Sequence, residues 1–167
     1  MVSTVNEYAK NLQVLIKEKM AEYGQISQQL DQSFPQRLLN HTAKISAEQL
    51  KQSMTDLDSK RSGFKEIGIL LDETESHPFN IEQLDSLNDA QQNVMALYVQ
   101  DTQNKLKVLD DLARRIKVFL DNVNRKFQHK TIKIDRKKGF LAEGRDKKLL
   151  PLESLSSGEQ HELVLKL

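Results

Sequence analysis

Apolar residues recur at alternating intervals of three and four along most of this chain, a rhythm best satisfied by helices packed along their length. The series is cleanest in Leu106, Leu109, Ala113, Ile116, Leu120, Val123 and Phe127. Extended back to Ile81 or Leu84, it predicts a single helix of more than about forty residues, roughly 65 Å long at 1.5 Å per residue. Helices of that length are arms, not the filling of a globule.

Two earlier series repeat the rhythm. Val2, Val5, Ala9, Leu12, Ile16, Lys19, Tyr23, Ile26 and Leu30 predict a helix to about Gln32, with Lys19 the one break. The ring of Pro35 disfavours helical geometry at Phe34, so Ser33 to Thr42 reads as a bend. Ser46 and Gln49 stand in capping-box spacing and open a second helix along Ala47, Leu50, Met54, Leu57, Arg61, Phe64, Gly68 and Leu71. His77-Pro78-Phe79-Asn80 marks the next junction. The expected fold is mainly α, either a long antiparallel helical hairpin or a three-helix coiled-coil bundle, with a small antiparallel β-meander near the C-terminus.

Composition narrows the function classes. Hydrophobic residues are 38% of the 167 and charged residues 29%, which favours elongated packing over a thick core. Without cysteine there is no disulfide framework or thiolate metal site. No apolar run is long enough to span a bilayer or form a signal segment, so no membrane partner is expected and the expected compartment is the cytoplasm.

After His129 the periodicity becomes alternating. Thr131-Ile132-Lys133-Ile134-Asp135 puts both isoleucines on one face, Arg136 to Gly139 supplies a turn before Phe140-Leu141-Ala142, and Gly144-Arg145-Asp146 a second turn before Lys148-Leu149-Leu150, which reads as a meander of two or three strands. Such a sheet is marginal alone and should lean on something larger, which is not expected within this chain. The same stretch is basic. Arg125, Lys126, Lys130, Lys133, Arg136, Lys137, Lys138, Arg145, Lys147 and Lys148 face only Asp135, Glu143 and Asp146, in a chain whose net charge is +1. One reading is contact with nucleic-acid phosphates, chiefly through the first seven. The plainer reading is lysines guarding sheet edges, and no aromatic residues interleave as a stacking platform would require.

The chain closes on Leu155-Ser156-Ser157-Gly158-Glu159-Gln160, followed by His161-Glu162-Leu163-Val164-Leu165. Ser156 and Glu159 form a second capping box, which is sufficient to explain a helix start. The same atoms also suit an anion: a helix N-terminus has unpaired N–H groups and a positive dipole end, and glycine lets a phosphate approach.

LSSGEQ at the start of a helix resembles the signature motif of ABC-class ATPases, in the LSxGE form of coiled-coil-bearing members such as structural-maintenance-of-chromosomes, DNA double-strand-break repair and phage-defence ATPases. A helical insertion, a short meander and then the signature is the order such enzymes use. Phe34-Pro35-Gln36-Arg37-Leu38-Leu39 also resembles a stretch in bacterial AAA-type members. The resemblance implies that residues 1–128 are a helical insertion and 129–167 part of an ATPase head. It implies that Ser156, with Ser157, Gly158 and Glu159, contacts the γ-phosphate of ATP held by the opposite protomer of a dimer.

ATP and Mg²⁺ then belong to a parent protein. Gly63 and Gly68 have phosphate-loop spacing but are followed by Ile69 and Leu70, and an acidic Mg²⁺-binding strand is missing. The expectation is a segment inactive alone, needing the missing head segments and prone to self-association through its seams, with Lys166 and Leu167 either native or vector-derived. No catalytic residue and no metal ligand is expected within it. His41, His77, His129 and His161 lack metal-ligand spacing, and Asp72-Glu73 and Asp110-Asp111 read as solvated helix faces. The competing reading is a non-enzymatic coiled-coil interaction or scaffold module whose LSSGE is only a helix cap.

Overall fold

The computed structural model describes residues 2–42, 44–71 and 80–166. Among these residues the chain is mainly α, with a three-stranded antiparallel sheet near the C-terminus. The helices are α1 (Val2–Asn40), α2 (Ala47–Glu66), α3 (Asp89–Lys107), α4 (Asp110–Lys126) and α5 (Ser157–Lys166), with short 3₁₀ turns at Ile81–Ser86 and Leu152–Ser154. The strands are β1 (Lys130–Asp135), β2 (Gly139–Gly144) and β3 (Leu149–Leu150).

α1 continues through Pro35 to Asn40 instead of ending near Gln32. Proline removes the N–H that the Asp31 carbonyl would accept and crowds that turn. Side chains compensate locally: Ser33 Oγ donates to the Gln29 carbonyl at 2.8 Å, and Arg37 Nη2 donates to the Leu30 carbonyl at 2.8 Å. Arg37 is held in turn by a two-pronged pair with Asp101, at 2.6 and 2.7 Å, and Asp101 is only 5% exposed. Hydrogen bonding to Asp101 raises the Arg37 pKa above its ordinary value, against the opposing effect of burial. The helix survives its proline because a residue far along the chain anchors the next turn.

The expected capping box opens α2: Gln49 N donates to Ser46 Oγ at 3.2 Å and Ser46 N to Gln49 Oε1 at 3.1 Å. The seam does not run on to Leu71, however. Gly68 adopts φ +82°, and the amides of Ile69 and Leu70 both fold back on the Phe64 carbonyl, at 2.9 and 3.2 Å. That reversal buries Ile69 completely and leaves Leu71 exposed.

The single long third helix is also corrected. Asn88 and Gln91 form an unforeseen capping box, at 2.9 and 3.0 Å, that starts α3, and the segment before it is a 3₁₀ turn capped by the Asn80 side chain. A second break lies at Val108–Leu109, where Leu109 N bonds only three residues back, to Leu106. Asp110 and Asp111 then sit in the first turn of α4, where carboxylates favour a fresh N-terminus. Leu106 and Leu109 are both fully buried, so the apolar rhythm passes through the break without marking it. His77, Pro78 and Phe79 lie outside the described residues.

Contacts divide the chain into two compact units. One comprises Ala21–Gly63 and Asp72–Leu109. Leu50, Met54, Leu57, Leu84, Leu97 and Leu106 are buried there. The Lys105–Asp31 pair at 2.7 Å and the bond from Asn93 Nδ2 to the His41 carbonyl, also 2.7 Å, join its segments.

The other unit comprises Met1–Met20, Phe64–Leu71 and Asp110–Leu167 and contains the sheet. Strand order is β1-β2-β3, with Ile132 opposite Ala142 and Ile134 opposite Phe140. Ile132, Ile134, Phe140 and Ala142 are buried, while Thr131 and Lys133 are exposed, as the alternation requires. α4 packs on β1, and the rings of Phe119 and Phe140 meet at 6.1 Å and 44°. Gly139, at φ +83°, abuts the Ala9 carbonyl of α1 so closely that a Cβ would overlap it. The sheet therefore leans on α1 and α4 of its own chain, which corrects the expectation that this chain lacks the support; residues distant in sequence provide it. Along the outer edge of β1, Asn124 acts as a substitute strand: its Oδ1 accepts from Ile132 N at 2.7 Å and its Nδ2 donates to Ile132 O at 3.0 Å.

Candidate functional site

The turn before α5 is assembled by local bonds and then pinned from outside. Glu159 N donates to Ser156 Oγ at 3.3 Å, and Ser156 N donates to Glu159 Oε2 at 2.7 Å, closing the expected box. Lys130 Nζ reaches the same carboxylate oxygen at 2.7 Å and lies 3.4 Å from the Ser154 carbonyl. Burial alone would push the Glu159 carboxyl up; the bond from Lys130, the backbone and hydroxyl of Ser156 and the charge of Lys130 together outweigh it and hold the pKa below its ordinary 4.5.

The turn is rigidly seated. Leu155 and Leu163 are buried, and the 5%-exposed Gln160 donates from Nε2 to the Leu155 carbonyl at 2.9 Å. Helix α5 packs on α4, where Lys126 Nζ pairs with Glu162 at 2.7 Å. Ser156, Ser157 and Gly158 are nonetheless exposed, and nothing lies within 4 Å of where a Gly158 Cβ would be. The N–H groups of Ser157 and Gly158 belong to the first turn, which has no intrahelical acceptors. Open glycine, a serine hydroxyl and orphan amides on one exposed turn fit an anionic oxygen group. Glu159 is a negative neighbour of this turn, and Lys130 offsets it.

The basic residues do not form one patch. Lys126 and Lys130 are committed to Glu162 and Glu159, and Lys133 to Glu143 at 2.8 Å. Register pairs Lys130 with Gly144, so Lys130 and the Arg145–Lys148 turn lie at one end of the sheet. Arg136, Lys137 and Lys138 lie at the other, about 17 Å away for a six-residue strand at about 3.3 Å per residue. The backbone amides of Lys137 and Lys138 both donate to Asp135 Oδ1, at 2.8 and 2.7 Å, which shapes this second turn. Arg125, Arg136, Lys137 and Lys138 make no ion pair with any described residue. The Lys130–Glu159 and Lys126–Glu162 links had no signal in local spacing.

The other candidates are quiet. The Nε2 atom of His41 is buried without a hydrogen-bond partner among the described residues, His129 and His161 are exposed, and Asp111 pairs with Arg114 on the surface of α4. His77, Asp72 and Glu73 lie outside the described residues, as do the Lys166 side chain and Leu167. No group of three or more His, Asp or Glu able to hold a metal, and no helix long and apolar enough to cross a membrane, occurs among the described residues.

Fold and site together define a mainly α chain whose small antiparallel sheet delivers an exposed Ser-Ser-Gly turn at a helix start. Comparison with protein-family models, curated proteins and solved structures finds no match to this chain.

Proposed function

We propose that this chain is the helical arm and signature segment of an ABC-class ATPase, with Ser156, Ser157, Gly158 and Glu159 contacting the γ-phosphate of ATP bound by the opposite protomer. The observation that carries this reading is the open, exposed Ser156–Gly158 turn at the start of α5, held against β1 by Lys130. The unit without the sheet acts as the arm, and the sheet-bearing unit, which includes residues 129–167, as part of the head. ATP, Mg²⁺ and the residues that activate water are supplied by the parent protein, and dimerisation driven by ATP moves the arms in a cytoplasmic, nucleic-acid-linked process such as repair or phage defence. Arg125, Arg136, Lys137 and Lys138 are the residues best free to meet nucleic-acid phosphates.

The decisive experiment is ATP hydrolysis by the full reading frame, wild type beside Ser156→Arg, with oligomeric state recorded with and without ATP. Loss of both hydrolysis and ATP-dependent dimerisation in the variant supports the reading. Activity equal to wild type sinks it.

A second reading is a non-enzymatic interaction or scaffold module. It is favoured by the completeness of the capping box, in which both Ser156 Oγ and Ser156 N already have partners. On this reading Ser156→Asp, which preserves a cap, leaves every property of the protein unchanged, whereas a phosphate contact is lost to charge repulsion.

A further inference from the structure

Within the sheet-bearing unit, α1 and α4 enclose a cleft of about 490 Å³. One wall is the series Tyr8, Leu12 and Leu15, spaced as successive turns of one helix face, and the other is Leu112, Ile116 and Phe119 with the same spacing. Leu12, Leu112, Ile116 and Phe119 are buried at its base, so the apolar surface open to a partner is that of half-buried Tyr8 and Leu15 and of Val118, 56% exposed on the rim. A cleft lined by apolar residues from two helices can receive the apolar stripe of a third.

The polar groups of the cleft identify its occupant. Arg114 and Arg115 line it and no carboxylate does. Arg115 pairs with no described residue; Arg114 meets Asp111, but both side chains are more than half exposed, so that pair is worth little. A second copy docking symmetrically through this face would bring each arginine pair toward the other's, which like charge opposes. A helix with an apolar stripe and flanking carboxylates satisfies both the floor and the rim.

We propose that the α1–α4 cleft is a docking groove for an acidic amphipathic helix of a partner protein. This is independent of the phosphate reading of the Ser156 turn. The probes are two fluorescein-labelled synthetic peptides sharing one leucine stripe, one with glutamates and one with lysines at every other position, titrated against the full chain by anisotropy. The glutamate peptide binds at least about tenfold tighter, a difference of about 1.4 kcal/mol. Arg115→Glu reverses the preference, and Val118→Asp, at an exposed site that leaves the helical circular dichroism unchanged, weakens the glutamate peptide about as much. Equal binding of both peptides, or saturable binding of neither, overturns the proposal. So does peptide-free dimerisation abolished by Val118→Asp, which would make a second copy the occupant.

Discussion

Lys130 Nζ lies 2.7 Å from Glu159 Oε2, joining the first residue of β1 to the first turn of α5. That link ties the exposed Ser156–Gly158 turn to the sheet through a residue from the basic run. Part of the charge surplus read from the sequence therefore serves the fold. Lys126–Glu162 and Lys133–Glu143 extend the same use of charge, leaving a smaller set of cations free for an external partner.

Removing the link has a defined pH signature. Glu159 has a depressed pKa in the folded state, so its contribution is complete above the ordinary value of 4.5 and is lost as pH falls through the folded value. Glu159→Gln should cost about 1–2 kcal/mol at pH 7. Its urea midpoint should converge on that of wild type as the pH drops below about 4. A gap that stays constant from pH 7 to pH 3 would show that the ion pair is not the source.

Arg37 and Asp101 should behave as one unit. Asp101→Ala leaves Arg37 partly buried without its partner and is expected to cost about 3 kcal/mol. Amide exchange should quicken from Gln36 to Asn40, the part of α1 beyond Pro35, more than in residues preceding Ser33. Uniform exchange along α1 would mean that the helix tolerates Pro35 without the pair.

Asn124→Ala deletes both bonds to Ile132 and uncovers the edge of β1. A loss of about 1–2 kcal/mol is expected, along with faster aggregation from the exposed edge. Asn124→Asp retains the acceptor for Ile132 N but sets a carboxylate against Ile132 O, so thermal melts should rank it no better than alanine.

Two glycine substitutions separate packing from ligand access. Gly139→Ala puts a Cβ into the Ala9 carbonyl at a positive φ and should cost more than about 2 kcal/mol. Gly158→Ala meets nothing within 4 Å and should melt within about 1 kcal/mol of wild type. If Gly158→Ala nonetheless abolishes hydrolysis in the full reading frame, the loss reports crowding at a ligand; full activity would argue against close phosphate approach there.

Arg136→Glu, Lys137→Glu and Lys138→Glu combined should reduce binding of a duplex DNA probe and flatten its salt dependence, because these cations pair with no carboxylate among the described residues and are open to phosphates. The combined variant should keep the wild-type melting temperature. An unchanged gel shift would assign this turn a purely structural role.

Features that act within a few residues were determined by the sequence itself. The capping boxes at Ser46 and Ser156, the alternation that buries Ile132 and Ile134, and the helical character of both units follow from spacing, because caps and side-chain faces are set by neighbours three or four positions away. Tertiary structure decided the rest. Pro35 fails to end α1 because Arg37 is anchored by Asp101, 64 residues on, and the Ser156 turn is pinned through Glu159 by Lys130, 29 residues before that glutamate. The division of the third seam into α3 and α4 was equally hidden, since Leu106 and Leu109 stay buried on both sides of the break. An apolar rhythm reports which face is buried, whereas continuity of a helix depends on backbone hydrogen bonds and on long-range partners that no local pattern encodes.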